Sequence, residues 1–190
     1  MRVGKIKISF NSPVILGFVF ASLVTLILGI VSGGRITDTL FVTYHSPLSS
    51  PLTYVRFFTH VLGHANWEHF IGNASYILLL GPLLEEKHGS QLIVFIILVT
   101  ALVTALVNYI FFWNVALCGA SGVVFAFILL TSFTSFREGE IPLTFILVAV
   151  IFIGQQVFEG LFLNDNVSNL SHIIGGIVGA VIGYVLNKKK

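Results

Sequence analysis

Gly119-Ala120-Ser121-Gly122 heads the apolar run Val123-Val124-Phe125-Ala126-Phe127-Ile128-Leu129-Leu130. A serine among small residues, at the mouth of a segment hydrophobic enough to lie in lipid, has two readings. Small residues let membrane helices approach, and Gly122 with Ala126 makes a small-xxx-small face that needs no chemistry. Paired with a base, the same serine is a nucleophile. A matching histidine elsewhere in the chain decides between them.

The 190 residues are 56% hydrophobic and only 9% charged, too little polar surface for a water-soluble globule of this length. The composition is that of an all-α polytopic membrane protein. A formal net charge of +2 carries little information, because placement rather than sum of basic residues matters in a membrane chain. Nothing supports nucleic-acid binding. The single cysteine, Cys118, excludes an intrachain disulfide framework and any CxxC metal or redox pattern. Its place beside Gly119 raises a thiol nucleophile as an alternative to inert packing.

Six spans are expected along one domain covering residues 1–190, with short tails at about 1–12 and 187–190. The first runs from Pro13 to Val31, too long for a cleavable leader and about the length that crosses a hydrocarbon core. A Pro-rich first loop follows from Arg35 to Trp67, with Pro47 and Pro51 expected to interrupt regular structure while Phe57, Phe58, Val61 and Leu62 keep it interfacial. The remaining spans are expected at Glu68–Leu84, Gln91–Phe112, Ser121–Phe136, Leu143–Val157 and from Ser171-His172 to Asn187. Arg2, Lys5, Lys7, Lys87, Arg137 and the three terminal lysines then fall on one side, and only Arg35 and Arg56 on the other. The positive-inside bias puts both termini in the cytoplasm and the starts of the even-numbered spans at the exterior face of the cell membrane.

Three counts agree on depth: Ser121 to Arg137, His172 to Lys188 and His69 to Glu85 are each sixteen residues. At 1.5 Å per residue that is about 24 Å, which sets the three polar residues at one level just beneath the outer surface. Histidine within a span is costly and is by default a functional hypothesis. Gly175, Gly179 and Gly183, spaced by four near the face of His172, allow a close approach to a neighbouring helix; if that neighbour carries Gly122 and Ala126, Ser121 meets His172. His69 and Asn73 share a helical face, and both donate hydrogen bonds. Acyl transfer through serine needs a base and donors aimed at an oxyanion, roles that fit His172 and the His69–Asn73 pair.

These residues resemble the rhomboid family of intramembrane serine proteases. The family pattern joins GxSG at the head of the fourth span, here Gly119-Ala120-Ser121-Gly122, to a histidine opening a glycine-rich sixth span, here His172 with Gly175 and Gly176, and to HxxxN on the second, here His69 to Asn73. His60, His64, Arg56 and the stretch Glu85-Glu86-Lys87-His88-Gly89-Ser90 also fit, and the resemblance covers about residues 13 to 187. It implies a six-helix core, a Ser121–His172 dyad without a catalytic aspartate, and an oxyanion held by His69, Asn73 and the backbone N–H of Ser121. It further implies transmembrane-helix protein substrates cut near the outer surface of the lipid bilayer, with no metal and no cofactor. Val55 stands where the family has tryptophan before Arg56. Phe125 stands where a tyrosine is often found; it can stack on the His172 ring but lacks the hydroxyl.

Two other readings compete. A metal or ion transporter would use His60, His64 and His69, yet no carboxylate, thiolate or HExxH pattern completes the site. A non-catalytic relative would bind transmembrane segments without cutting them, against which stands the presence of both Ser121 and His172.

Overall fold

The computed structural model describes residues 9–133, 140–162 and 169–188. Among these the chain forms eight α-helices and one 3-10 turn: α1 (Pro13–Val31), α2 (Arg35–Leu40), α3 (Pro51–Thr59), the turn His60–Leu62, α4 (Trp67–His88), α5 (Ser90–Phe111), α6 (Ser121–Phe133), α7 (Leu143–Phe162) and α8 (Asn169–Lys188). Helices α1, α5 and α8 are long and apolar enough to cross a membrane. Shorter apolar stretches run over Ser121–Phe133 and Leu143–Phe152.

Several boundaries differ from expectation. The first loop is more ordered than its prolines imply, because Pro51 occupies the start of α3, where a missing N–H costs nothing. Helix α4 continues past Leu84 to His88, α7 continues past Val157 to Phe162, and α8 starts at Asn169 rather than at Ser171-His172. His172 therefore sits one turn inside its helix. Residues 134–136, assigned to the fourth span, and Arg137 lie outside the described residues. So do 163–168 of the expected Glu159–Leu170 loop.

Helix α6 is the hub. Nearly every residue from Gly122 to Leu130 is buried, the signature of a helix apolar on all sides and enclosed by neighbours. Its most extensive contact is with α8, and α4, α5 and α7 surround the remainder. A side chain at Gly175 would collide with the backbone carbonyl of Gly122, one at Gly179 with that of Ala126, and one at Gly183 with the Phe133 side chain. The two backbones are thus in direct contact at two points one turn apart.

Helix α1 is held at its start by a residue from the far end of α4. Ser12 gives no side-chain cap; instead the buried Glu85 carboxylate accepts from Val14 N (3.0 Å) and Ile15 N (3.1 Å). Ser90 Oγ donates to the same carboxylate at 2.6 Å. First-turn amides have no partner within their own helix, so a buried carboxylate satisfies them and is itself satisfied.

The first loop folds back over α5. Buried Arg56 donates from Nε to Thr39 O (2.8 Å) and lies 4.5 Å from the centroid of the Tyr44 ring. Thr59 Oγ1 donates to Leu40 O, and Tyr109 Oη of α5 donates to Ser46 O at 2.7 Å. His45 stacks between Tyr109 and Trp113. Val55 is exposed, so the seating of this loop rests on Arg56 and these polar anchors rather than on an aromatic at position 55.

Within the loop, His60 and His64 are buried. His60 Nδ1 donates to Arg56 O and His64 Nδ1 to Leu62 O, both at 3.2 Å, since a carbonyl can only accept. Burial lowers the imidazole of His60 to about 4; burial, with the neighbouring His69, lowers that of His64 to about 4.

Two outcomes are expected. Gly179→Leu should destabilise by about 1–3 kcal/mol or more through overpacking against Ala126, whereas Gly154→Ala, which meets nothing within 4 Å, should be neutral or slightly stabilising. Thermal unfolding in detergent checks the pair, and equal effects would contradict the seam. Because the folded values of His60 and His64 lie below the ordinary 6.5, the folded state binds fewer protons than the unfolded state between pH 6.5 and about 4. Stability should be full above pH 6.5 and fall as pH drops toward about 4. His64→Gln should flatten part of that decline, and a variant that declines as steeply as the parent would refute the role.

Candidate active site

The segment leading into α6 is built by the first loop. Thr43 and Leu117 pair as an antiparallel bridge (Thr43 N to Leu117 O 2.9 Å; Leu117 N to Thr43 O 2.8 Å). Asn108 Nδ2 of α5 donates to Val115 O at 2.9 Å, and Gly119 N donates to the His60 carbonyl at 2.9 Å. The chain then turns at Gly119 with φ +123°, a conformation that L side chains rarely adopt. Space demands glycine here as well. A Cβ on Gly119 would lie 2.6 Å from His69 Cε1 and 2.7 Å from His69 Nε2, with Asn73 Nδ2 3.7 Å away.

Helix α4 brings those two donors to Gly119 from its first turns. Asn66 caps it, accepting from His69 N at 2.8 Å, and this fixes where the four-residue spacing of His69 and Asn73 begins. Among the described residues, the buried Asn73 Nδ2 has no hydrogen-bond partner. His64 packs edge-on against His69 (5.1 Å) and Phe70 (5.5 Å), and its buried Nε2 has no hydrogen-bond partner among the described residues.

Helix α8 approaches from the other side. Where a Cβ of Gly122 would stand, the Ser171 carbonyl is 3.5 Å away, so the first turns of α6 and α8 lie abreast. His172 stacks face to face on Phe125, one turn after Ser121, with centroids 4.7 Å apart and planes at 6°. Phe125 in turn meets Phe152 of α7 edge-on at 5.5 Å. Ser121 is the first residue of α6, so its backbone amide belongs to a helix N-terminus, whose N–H groups favour negative charge.

The structure thus brings Gly119, Gly122, Phe125 and His172 together along the head of α6, and His69 and Asn73 against the turn that precedes it, with His64 behind His69. Cys118 is half-buried, and burial, with the Asp38 charge, pushes its thiol up, away from the thiolate that nucleophilic attack requires. His60 does not join the site through its ring: besides the Arg56 carbonyl it meets Thr104 Oγ1 at 3.3 Å. Among the described residues, no three His, Cys, Asp or Glu side chains gather as a metal-binding group.

Sequence reasoning missed the residues that hold the site from behind. Thr100, Thr104 and Asn108 form a four-spaced polar stripe on the buried face of an otherwise apolar α5, a signal visible in the sequence. The Thr43–Leu117 bridge had no such signal.

Comparison with known proteins identifies the family. A family model described as the Rhomboid domain matches residues 51–189. Mouse rhomboid-related protein 2 is 32% identical over 160 residues, covering 73% of this chain and 53% of that protein. Rhomboid-related protein 1 of Caenorhabditis elegans is 33% identical over 140 residues, covering 69% of this chain and 39% of that protein. Rhomboid protease GlpG of Haemophilus influenzae is 27% identical over 137 residues, covering 70% of each. The chain spans about half the mouse relative and less of the worm one. With the domain match over most of its length and apolar helices long enough to cross a bilayer, the chain belongs to the rhomboid family of integral membrane proteins.

Proposed function

We propose that the protein is an intramembrane serine endopeptidase that cleaves transmembrane-helix substrates through a Ser121–His172 dyad. The observation that carries this reading is the convergence at the head of α6: the His172 ring stacked on Phe125 one turn from Ser121, and the His69 and Asn73 donors against Gly119. In this reading His172 takes the Ser121 hydroxyl proton as Oγ attacks the scissile carbonyl. The oxyanion is met by Asn73 Nδ2, the His69 ring and the backbone N–H of Ser121. Collapse breaks the C–N bond, and His172 returns its proton to the departing amine. Water, deprotonated by His172, then releases the acyl group as a carboxylic acid and restores Ser121. The stack on Phe125 would fix the plane of the base in place of a carboxylate partner.

The same reading takes α1, α4, α5, α6, α7 and α8 as six spans, with both termini cytoplasmic and the heads of α4, α6 and α8 toward the exterior of the cell membrane. Basic residues on the side of Lys87 and Lys188 support it.

Purified protein and a panel of single-span substrates test the chemistry, with cuts mapped by mass spectrometry. Ser121→Ala and His172→Ala should each abolish cleavage without unfolding, since nucleophile and base act as a unit. Asn73→Ala should lower kcat at least about tenfold with little change in KM, because its donor acts on charge present only in the transition state. Turnover by either dyad variant would end the proposal; a normal kcat with a lowered melting point would make Asn73 a packing residue. For topology, a cysteine at Trp113 in a Cys118→Ala background should react with an impermeant reagent applied from outside, and one at Lys188 should not. The opposite labelling would invert the orientation.

A further inference from the structure

Three polar atoms from three different elements line one buried space beside Ala120: Ser22 Oγ of α1, His64 Nε2 of the first loop and Asn73 Nδ2 of α4. None has a hydrogen-bond partner among the described residues. All three residues are more than nine-tenths buried, and Phe70, Ile77 and Ala120 supply apolar walls. The space measures about 150 Å³ but is spread too thinly among the side chains for a water molecule to fit. An unmet buried donor or acceptor is costly. With water excluded by size, the partners open to these atoms are one another.

Their chemistry is complementary. His64 Nδ1 donates to Leu62 O at 3.2 Å, and burial, with the neighbouring His69, lowers this imidazole to about 4. Its one proton at neutral pH is therefore on Nδ1, and Nε2 presents a lone pair. Asn73 Nδ2 carries two hydrogens and Ser22 Oγ one. A helical hydroxyl has a further acceptor in the carbonyl four residues back, as Thr25 of the same helix shows by donating to Ala21 O at 2.9 Å. Asn73 is turned elsewhere. Its Nδ2 is 3.7 Å from where a Cβ of Gly119 would stand, a point 2.7 Å from His69 Nε2, and the His69 ring is 5.1 Å from that of His64.

We propose that His64 is a positioning residue for Asn73: a small rotation across the shared space lets Nε2 accept one amide hydrogen, which aims the other at the Gly119 turn. The inference rests on the oxyanion role given to Asn73 above. With one hydrogen anchored the carboxamide has a single orientation, and the second stays unengaged until negative charge develops.

A kinetic cycle and a crystal structure of the full chain test it. His64→Phe keeps a ring against His69 and Phe70 but has no acceptor; it should lower kcat at least about threefold with little change in KM. In an Asn73→Ala background the same change should lower kcat no further. His64→Gln, whose side-chain oxygen accepts, should recover most of the loss, and Ser22→Ala should turn over normally. The crystal structure should place Asn73 Nδ2 within about 3.2 Å of His64 Nε2. A separation beyond about 3.5 Å would overturn the proposal, and that measurement stands even where His64→Phe fails to fold. Equal losses from His64→Phe with and without the Asn73 amide would make His64 a packing residue and overturn the proposal alone, as would a loss in Ser22→Ala matching that in His64→Phe. A normal kcat in Asn73→Ala would overturn the oxyanion role and this proposal with it.

Discussion

The contact on which the rest of the molecule depends is backbone against backbone, Gly122 and Ala126 of α6 on Gly175 and Gly179 of α8. In lipid there is little hydrophobic gain in bringing two helices together, so close packing of small residues supplies the attraction. Contact this close also sets register. Sliding α8 by one residue would put Ile174 and Val178, or Gly176 and Ala180, against Gly122 and Ala126, and either direction thrusts at least one Cβ, of Ile174 and Val178 or of Ala180, into a carbonyl already in contact. A slip of a full turn keeps glycine opposite both positions, because Gly183 follows Gly179 by four. What distinguishes the two registers is the His172–Phe125 stack, which a one-turn slip would break. The seam and the aromatic pair together therefore define how far the imidazole lies from the head of α6.

Position along α6 is set by a second constraint, the attachment of its leading segment to the first loop. Three hydrogen bonds, from Thr43 and Leu117 to each other and from Gly119 to the His60 carbonyl, tie residues 117–119 to residues that are remote in sequence. That loop is in turn anchored by Arg56, whose charge is buried against a carbonyl and an aromatic face rather than a carboxylate. A guanidinium tolerates this better than an ammonium, because it is weakly hydrated and stacks on rings. The first loop is thus a structural part of the candidate site, holding the Gly119 turn against His69 while α8 holds the other flank.

Much of this was legible in the sequence because it is local or periodic. The four-residue spacing of Gly175, Gly179 and Gly183, the small pair Gly122 and Ala126, and the His69–Asn73 face each follow from helical geometry alone. The first helix was readable from its unbroken apolar run between Pro13 and Val31. What sequence could not disclose depends on contacts between distant segments. Glu85 reads as a charge at a span end, yet it is buried and caps α1 some seventy residues away in the chain. Pro47 and Pro51 read as breakers, although Pro51 begins a helix whose other anchors, Thr39, Tyr44 and Tyr109, carry no pattern. Charges in the expected Glu159–Leu170 loop misled the end of α7, which contains no proline and continues through Glu159 and Gly160 to Phe162.

The unpartnered amide of Asn73 bears on how such a site divides its interactions between resting and reacting states. Leaving a buried donor without an acceptor costs about 1–3 kcal/mol, and native structures rarely accept that without compensation. Here the donor lies within reach of the Gly119 turn, beside the His69 ring, on a helix face whose other residues pack tightly. A donor already satisfied by the protein would have to break that bond before meeting a new acceptor, and the cost would be charged to the reaction. One held idle in a low-dielectric pocket gains its full interaction only when negative charge develops nearby. On the proposed chemistry the cost is borne in folding and recovered in the transition state, and the seam between α6 and α8, together with the buried first-loop anchors, is what makes the fold stable enough to bear it.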